Sequence, residues 1–166
     1  LQTLKGYNNL VFSVVFSPNS QLLTLGSRNY TVRVLWDVNL STYLQSYKGY
    51  NNKVSSVIFL PNGQLLALGS DDCTVRVWDV NLGACLQSLK GYNNKGYNNL
   101  VFLVIFSPNG QLLTLSLYNS IVKVWDINLG VCLQTFKGYN HLVFLVVFSP
   151  NSQLLTLGSY DYTVRV

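Results

Sequence analysis

Few side chains in this sequence are suited to acid–base or nucleophilic chemistry. The 166 residues include one histidine and six acidic residues, and all six acids are Asp. General acid–base catalysis commonly uses a histidine or a pair of carboxylates in tuned environments. Asp71 and Asp72 could form a metal pair, but adjacent Asp residues in a tight turn more often accept backbone hydrogen bonds. The sequence therefore predicts no catalytic residue, no metal site, no cofactor and no enzyme.

The cysteines do not form a pattern typical of a disulfide or metal site. Cys73, Cys85 and Cys132 are odd in number and widely spaced, which does not suit a disulfide framework or a zinc site. We expect free, buried thiols and an intracellular, cytoplasmic protein. The longest apolar runs, 100–106 and 142–148, are far shorter than the roughly 18 residues of a transmembrane helix. No membrane span and no membrane partner is predicted.

Five lysines each precede a Gly-Tyr pair, one of them, Lys95, within a five-residue duplication that follows residue 90. The other four, Lys5, Lys48, Lys90 and Lys137, recur once in each repeat, in a chain whose formal net charge is +5. If these lysines occupy equivalent positions in a repeated fold, they form a basic surface arc that attracts phosphates in a salt-dependent way. The alternative, that they are solvated loop lysines, is the more common role for such residues. Nucleic acid is therefore not the expected partner.

Pairs of Trp and Asp show how these residues are positioned along the chain. The pairs are Trp36-Asp37, Trp78-Asp79 and Trp125-Asp126, so successive Asp residues are 42 (79 − 37) and 47 (126 − 79) residues apart. Each pair ends a segment in which Val alternates with a polar residue, as in a half-buried strand. An apolar segment such as Leu10–Phe16 precedes it, as expected of an inner strand packed on both faces. Strands repeated at these intervals predict an all-β protein.

Turn residues separate the first two strands of each repeat. The sequence reads Asn-Gly at 62–63 and 109–110, and Asn-Ser at 19–20 and 151–152. Asn-Gly predicts a two-residue hairpin because both residues tolerate positive φ, and Ser in the second position should be mildly strained. The first repeat carries one extra residue near its Trp, and we expect a β-bulge near Leu35 to absorb it.

A period of about 40 to 45 residues ending in Trp-Asp resembles the WD40 repeat family, in which each repeat forms one four-stranded propeller blade. The resemblance covers the whole chain, with repeats at approximately 1–40, 41–82, 83–129 and 130–166. It implies a WD40-type β-propeller of about four blades, each a four-stranded antiparallel sheet, as a partial propeller or a small closed ring. Leu1–Leu4 matches the end of each later repeat, so it would be an outer strand able to complete the fourth blade.

The resemblance also implies structural roles for polar residues. The three Trp-Asp pairs belong to the structural motif, and Asp72 and Asp161 stand where the family has an Asp in the turn before the third strand. The family's His is replaced by Tyr in every repeat, at Tyr7, Tyr50, Tyr92 or Tyr97, and Tyr139. A lost buried hydrogen bond costs about 0.5–1.5 kcal/mol. Repeats two and four should therefore be weakened most, unless the tyrosine hydroxyls reach Asp72 and Asp161.

Three functions are compatible with this family resemblance. The first is a non-catalytic scaffold or sensor that presents propeller loops to a protein partner, similar to the C-terminal arrays of NACHT-type signalling ATPases. The second is a WD-repeat adaptor subunit, as in mitochondrial division or ubiquitin-ligase complexes. The third is a decayed, pseudogene-like fragment of a larger NACHT/WD-repeat protein, because changes such as His to Tyr and Asp to Asn each need only a C-to-T or G-to-A transition. Open propeller edges would favour a homo-oligomer.

Overall fold

The computed structural model describes residues 10–28, 32–40, 42–90 and 100–166, and for residues 32–36 and 43 it describes the backbone alone. All regular structure in these ranges is β-strand, which confirms the all-β class. The strands are β1 (Val11–Phe16), β2 (Leu22–Ser27), β3 (Val32–Asp37), β4 (Thr42–Tyr47), β5 (Val54–Phe59), β6 (Leu65–Ser70), β7 (Thr74–Asp79), β8 (Cys85–Lys90), β9 (Val101–Phe106), β10 (Leu112–Leu117), β11 (Val122–Asp126), β12 (Val131–Phe136), β13 (Val143–Phe148), β14 (Leu155–Ser159) and β15 (Val164–Arg165).

These strands form four antiparallel sheets, one for each repeat, here called blades 1 to 4. Blades 1 to 3 have four strands each, in the orders β1-β2-β3-β4, β5-β6-β7-β8 and β9-β10-β11-β12, and blade 4 has three, in the order β13-β14-β15. Every blade is a meander in which strands adjacent in sequence pair with each other. The predicted four-bladed arrangement is confirmed, whereas the predicted outer strand Leu1–Leu4 lies outside the described residues.

The hydrophobic core lies between successive blades. Val54, Val57 and Phe59 of β5 are buried in a cluster that also includes Val15 and Leu22 of blade 1. Equivalent clusters join blade 2 to blade 3 and blade 3 to blade 4. An inner blade therefore buries one face against the blade before it and the other against the blade after it, which is why strands such as β9 are apolar at every position.

The two end blades each leave one face uncovered. Val14 and Phe16 of β1 are both 55% exposed, whereas their counterparts in blade 2, Val57 and Phe59, are 6% and 5% exposed. The expectation that β1 is packed on both faces was wrong, because no described residue covers its outer face. The described blades therefore form an open arc and not a small closed ring.

The turns between first and second strands differ from the predicted two-residue hairpins. The Ser20 N–H donates to the Ser17 carbonyl at 2.8 Å, and the Ser17 N–H donates to the Leu22 carbonyl at 2.9 Å. Pro and Asn thus occupy the centre of a longer turn, where Pro requires negative φ. Within each of the four Asn-Gly and Asn-Ser pairs only the second member has positive φ: 58° at Ser20, 75° at Gly63, 72° at Gly110 and 61° at Ser152. The left-handed Ser residues are confirmed, and the positive φ predicted at Asn is wrong.

Bulges adjust the pairing of the outer strands. β3 pairs Arg33 with Ser46 and Leu35 with Gln45, so Val34 is unpaired and the extra residue of repeat one is absorbed as predicted. A further bulge recurs near the start of the outer strand in blades 1, 2 and 3, where the pairing skips Leu44, Leu86 and Leu133.

Candidate interaction surface

One edge of the arc, here called the upper edge, carries the start of each first strand and the turn that follows each second strand. These two segments are joined by a backbone hydrogen bond, which in blade 2 runs from the Asp71 N–H to the Lys53 carbonyl at 3.0 Å. The same bond runs from Tyr118 to Leu100 and from Tyr160 to Leu142, both at 3.0 Å. Side chains from the two segments are therefore held side by side in each of these blades.

In each first strand a β-bulge leaves one residue out of the regular pairing with the second strand. The pairing of β1 with β2 skips Phe12, between Val11 and Ser13. The equivalent pairings in blades 2, 3 and 4 skip Ser55, Phe102 and Phe144. Bulges re-aim side chains in this way. The skipped residues of blades 3 and 4 contact the residues that follow the second strands.

Blades 3 and 4 display aromatic pairs on the upper edge. The rings of Phe102 and Tyr118 meet edge to face, with centroids 5.3 Å apart and planes at 88°. Those of Phe144 and Tyr160 are stacked, with centroids 4.4 Å apart and planes at 20°. Tyr118 is 42% exposed and Tyr160 is 58% exposed. Each pair supplies rigid apolar area with a polar hydroxyl, a combination that suits protein recognition.

Blade 2 carries charges at the same place. Lys53 Nζ lies 3.2 Å from Asp71 Oδ2 and 4.7 Å from the centroid of the Phe12 ring in blade 1. Asp71 is buried, and its Oδ1 has no hydrogen-bond partner among the described residues. Burial raises the pKa of this carboxyl, and Lys53 opposes that rise. The upper edge thus changes from an ion pair in blade 2 to aromatic pairs in blades 3 and 4.

The upper-edge turns are also the most variable part of the repeats. They read Asp-Asp-Cys at 71–73, Tyr-Asn-Ser at 118–120 and Tyr-Asp-Tyr at 160–162, and the matching sequence of repeat one is Arg-Asn-Tyr at 28–30, of which residues 29–30 lie outside the described part. The first and third positions change in charge, size and aromatic character, whereas the flanking strands are nearly the same in every repeat. The middle position is always Asn or Asp, which indicates a structural requirement there, and the third position has positive φ at Cys73, Ser120 and Tyr162 although its residue type varies.

The carboxylates at that middle position, Asp72 and Asp161, hold the turn together. Asp72 Oδ1 accepts a bond from the Thr74 N–H at 3.0 Å, and Oδ2 accepts one from the Asn51 N–H at 3.1 Å. Asp161 makes the equivalent bonds with Thr163 and Asn140 at 3.0 and 3.1 Å. The hydrogen bond donated by the Thr163 hydroxyl, supported by backbone N–H groups, lowers the pKa of Asp161 to about 2. Both carboxylates are therefore paired without help from tyrosine, and the expected weakness of repeats two and four was wrong in this respect.

In blade 2 the tyrosine that replaces the family's His bonds to the Trp. Trp78 Nε1 donates to Tyr50 Oη at 3.0 Å, and the Arg76 guanidinium lies 4.6 Å from the Tyr50 ring centroid. Gly49, at φ 110°, leaves room for this stack, because a Cβ there would lie 2.4 Å from Arg76 Nη1. Burial strongly raises the pKa of Tyr50, so the hydroxyl stays neutral.

The other blades keep only parts of this arrangement. Arg165 stacks 4.1 Å from the centroid of the Tyr139 ring and donates to the Gly138 carbonyl at 2.8 Å. Trp125 Nε1 and Tyr139 Oη are buried without a hydrogen-bond partner among the described residues. The side chain of Trp36 lies outside the described part. Sequence reasoning missed the Arg–Tyr stack, although a basic residue recurs at the same position of every third strand: Arg33, Arg76, Lys123 and Arg165.

The Asp of each Trp-Asp pair closes the turn between third and fourth strands, at the opposite, lower edge. Asp79 Oδ1 accepts bonds from the N–H groups of Asn81 at 2.9 Å and Leu82 at 2.8 Å. Asp37 and Asp126 make the same pair of bonds in blades 1 and 3. These are Asx turns, in which a carboxylate takes the place of a backbone acceptor. The three Asp residues therefore stabilise turns.

The lysines of the predicted basic arc are exposed where they are described. Lys48, Lys90 and Lys137 lie at or just after the ends of β4, β8 and β12, and Lys5 lies outside the described residues. The tyrosines that follow Lys48 and Lys137 point inward, since Tyr50 and Tyr139 are 4% and 7% exposed. In these two places the Lys and Tyr side chains therefore do not share one surface, and Tyr7, Tyr92 and Tyr97 lie outside the described residues.

The thiols are more accessible than expected. Cys85 and Cys132 are exposed and Cys73 is half-buried, and all three are free. The expectation of buried thiols was wrong because Cys85 and Cys132 lie at the start of outer strands. In the described part of the chain no group of His, Cys, Asp or Glu residues is arranged to hold a metal ion. No helix suited to spanning a membrane is found in the same residues.

Successive four-stranded meanders that bury their faces against each other define a repeat protein of the β-propeller class. The family model for the WD40 repeat, described as "WD domain, G-beta repeat", matches residues 1–37, 41–79, 83–126 and 130–166. The chain therefore belongs to the WD40 repeat family. No curated protein matches it. WD40 repeats in general serve as non-catalytic scaffolds for protein interactions.

Proposed function

We propose that the chain is a non-catalytic interaction scaffold or sensor whose upper edge docks a protein partner. The observation that carries this proposal is the distribution of variation among the repeats. The turns at 28–30, 71–73, 118–120 and 160–162 differ in charge and aromatic character on an otherwise repeated framework. The middle residue keeps its type for folding and the third has positive φ in blades 2 to 4, yet the types of the first and third residues vary and can supply specificity.

The chemistry of the upper edge favours a partner that offers apolar side chains. Aromatic residues are enriched at the energetic centres of protein interfaces, and the Phe102–Tyr118 and Phe144–Tyr160 pairs are accessible. We place this function inside the cell, which the free thiols support.

Partner capture with matched variants tests this function. Tagged chains carrying Tyr118→Ser and Tyr160→Ser would be compared with chains carrying Leu82→Ser and Leu129→Ser, whose leucines are 77% and 71% exposed at the lower edge. Loss of interface hot spots should reduce partner recovery by at least about tenfold in the first variant. The second variant should recover the same proteins as the wild type. Equal recovery by all three chains would exclude the upper edge as the docking surface.

The second candidate is a decayed repeat copy, which the unpartnered buried atoms Trp125 Nε1 and Tyr139 Oη favour. Each such atom costs about 1–3 kcal/mol of folding free energy. Comparison of the gene with intact repeats tests it, since decay by directed transitions leaves C-to-T and G-to-A changes in excess. Transversions at equal frequency would exclude decay by that route.

The scaffold proposal has two finer forms, a NACHT-type sensor array and a WD-repeat adaptor subunit. The identity of the captured partners would separate them.

A further inference from the structure

We propose that two copies of this chain associate head to tail, with the open face of blade 1 in one copy packed on the open face of blade 4 in the other. The open face of blade 1 is formed by Val11, Val14 and Phe16. The open face of blade 4 is formed by Val147, Leu154 and Val164. This association is independent of the upper edge, which both copies leave accessible.

The open face of blade 1 repeats a surface that the other blades bury. Val11, Val14 and Phe16 are 42%, 55% and 55% exposed. Their counterparts in blade 2, Val54, Val57 and Phe59, are 0%, 6% and 5% exposed because blade 1 covers them. The same positions of blade 3 are buried against blade 2, and those at the start and centre of β13 are buried against blade 3. Blade 1 therefore presents a surface shaped for the forward face of another blade.

Blade 4 presents that forward face. Val147, Leu154 and Val164 are 49%, 58% and 70% exposed. Their blade 2 counterparts are covered by blade 3: Ile58 and Leu65 pack against the shared cluster, and Val75 is 0% exposed. The six residues named on the two open faces are all uncharged, so bringing these residues together desolvates no charge of theirs.

On the open face of blade 4 a glycine leaves a gap, here called the glycine notch, that could receive the valine side chains of blade 1. In blade 2 the notch is Gly69, where a Cβ would lie 2.7 Å from both Val101 Cγ1 and Val104 Cγ2 of the following blade. The equivalent residue of blade 4 is Gly158, where a Cβ would meet only Leu145 of the same blade, at 3.4 Å. The notch is thus present and unfilled. The valines on a second copy's blade 1 are the residue type that fills it in blade 2.

Two copies account for both open faces at once. Each copy has one described open face of each kind, so a heterologous contact made twice, if its rotation closes a ring, covers both faces in both copies. Two arcs of four blades give eight blades, within the usual range of about four to eight for propellers. A second copy is therefore the occupant that these surfaces fit.

The mass in solution of the 166-residue chain tests the proposal. Sedimentation equilibrium should give twice the chain mass of 18.6 kDa. Val14→Asp and Val147→Asp place a charge in the contact and should each raise the dissociation constant at least about 30-fold. Leu82→Asp is the matched control, because Leu82 is 77% exposed on neither open face, and this variant should remain dimeric. Far-UV circular dichroism would verify that all variants fold.

Mixing the two variants makes the test specific for head-to-tail pairing. Val14→Asp keeps an intact face on blade 4 and Val147→Asp keeps an intact face on blade 1, so their mixture should form a heterodimer although each alone is monomeric. A third variant, Gly158→Val, should fill the notch and weaken the dimer without unfolding the chain. A folded wild-type monomer, an open-ended polymer, a dimer that resists both Asp substitutions, or a mixture that stays monomeric would each overturn the proposal.

Discussion

At the scale of single residues, the hydrogen bond from Trp78 to Tyr50 shows that Tyr can serve where the family usually has His. The bond is 3.0 Å long and buried, whereas the equivalent hydroxyl of Tyr139 is buried without a partner among the described residues. Tyr50→Phe should therefore lower the free energy of unfolding by about 1–2 kcal/mol, because Trp78 Nε1 loses its acceptor. Urea-induced unfolding followed by Trp fluorescence measures this.

Tyr139→Phe is the matched control for that substitution. It removes the same hydroxyl from an equivalent position, but no bond is lost, so the free energy of unfolding should be unchanged or should rise by up to about 1–3 kcal/mol, the cost of an unpartnered buried hydroxyl. Equal losses in the two variants would show that the hydroxyl matters for packing and not for hydrogen bonding.

A second prediction at the scale of residues concerns the effect of Asp71 on how folding stability depends on pH. Burial raises the pKa of its carboxyl above 3.8, with Asp72 adding to the rise and Lys53 opposing it. A native pKa above the unfolded value means that the folded state holds the proton more tightly, so wild-type stability falls as pH rises through the window just above 3.8. The free energy of unfolding of the wild type minus that of Asp71→Asn should therefore be larger at pH 3 than at pH 6. This change should not exceed about 1.4 kcal/mol for each unit by which folding raises the pKa. Urea titrations at both pH values measure it, and a difference that grows with pH would show that the Lys53 ion pair dominates.

At the scale of the elements, the turns between first and second strands carry different residues in one conformation. Ser20 has φ 58° where Gly63 and Gly110 have 75° and 72°. The left-handed region costs a non-glycine residue about 1–2 kcal/mol, partly offset by the greater chain entropy of Gly when unfolded. Ser20→Gly should raise the free energy of unfolding by about 0.5–1 kcal/mol, measured by urea titration.

The reverse substitutions test the same turn with different surroundings. A Cβ on Gly63 would lie 3.5 Å from Pro18 Cδ, an ordinary contact, whereas one on Gly110 would lie 3.0 Å from Leu60 Cδ1. Gly110→Ser should therefore destabilise the chain more than Gly63→Ser. The opposite order would mean that the Leu60 side chain moves aside at little cost.

The elements also show where sequence reasoning succeeds and where it fails. Period-two patterns and Trp-Asp spacing predict the strands and the four sheets, because each strand's pattern reflects the faces it buries. The bulge near Leu35 follows from a count of residues. The turn type was wrong because Asn-Gly alone does not reveal that Ser17 closes a longer turn around Pro18. The Trp78–Tyr50 bond and the Phe–Tyr pairs depend on contacts between segments, which no local pattern specifies.

At the scale of the whole molecule, stability depends on contacts between neighbouring blades. The apolar clusters join blade 1 to 2, 2 to 3 and 3 to 4, so each blade depends on the next, as in other repeat arrays. Serine hydroxyls add to these contacts: Ser13 Oγ accepts from the Val57 N–H at 3.2 Å, and Ser56 Oγ accepts from the Val104 N–H at 3.1 Å. An internal interface should therefore be much less tolerant of change than the same position at an open end.

The glycine notches allow that difference to be measured with one substitution at two places. A Cβ at Gly69 would overlap Val101 and Val104, so Gly69→Ala should cost about 1–3 kcal/mol by forcing blades 2 and 3 apart. Gly158→Ala meets only Leu145 at 3.4 Å, so it should be neutral or stabilise by up to about 1 kcal/mol through the unfolded chain. Both would be compared by urea titration in a Val14→Asp background, so that association does not contribute. Equal losses at the two sites would mean that strand pairing within a blade, and not packing between blades, limits the stability of the arc.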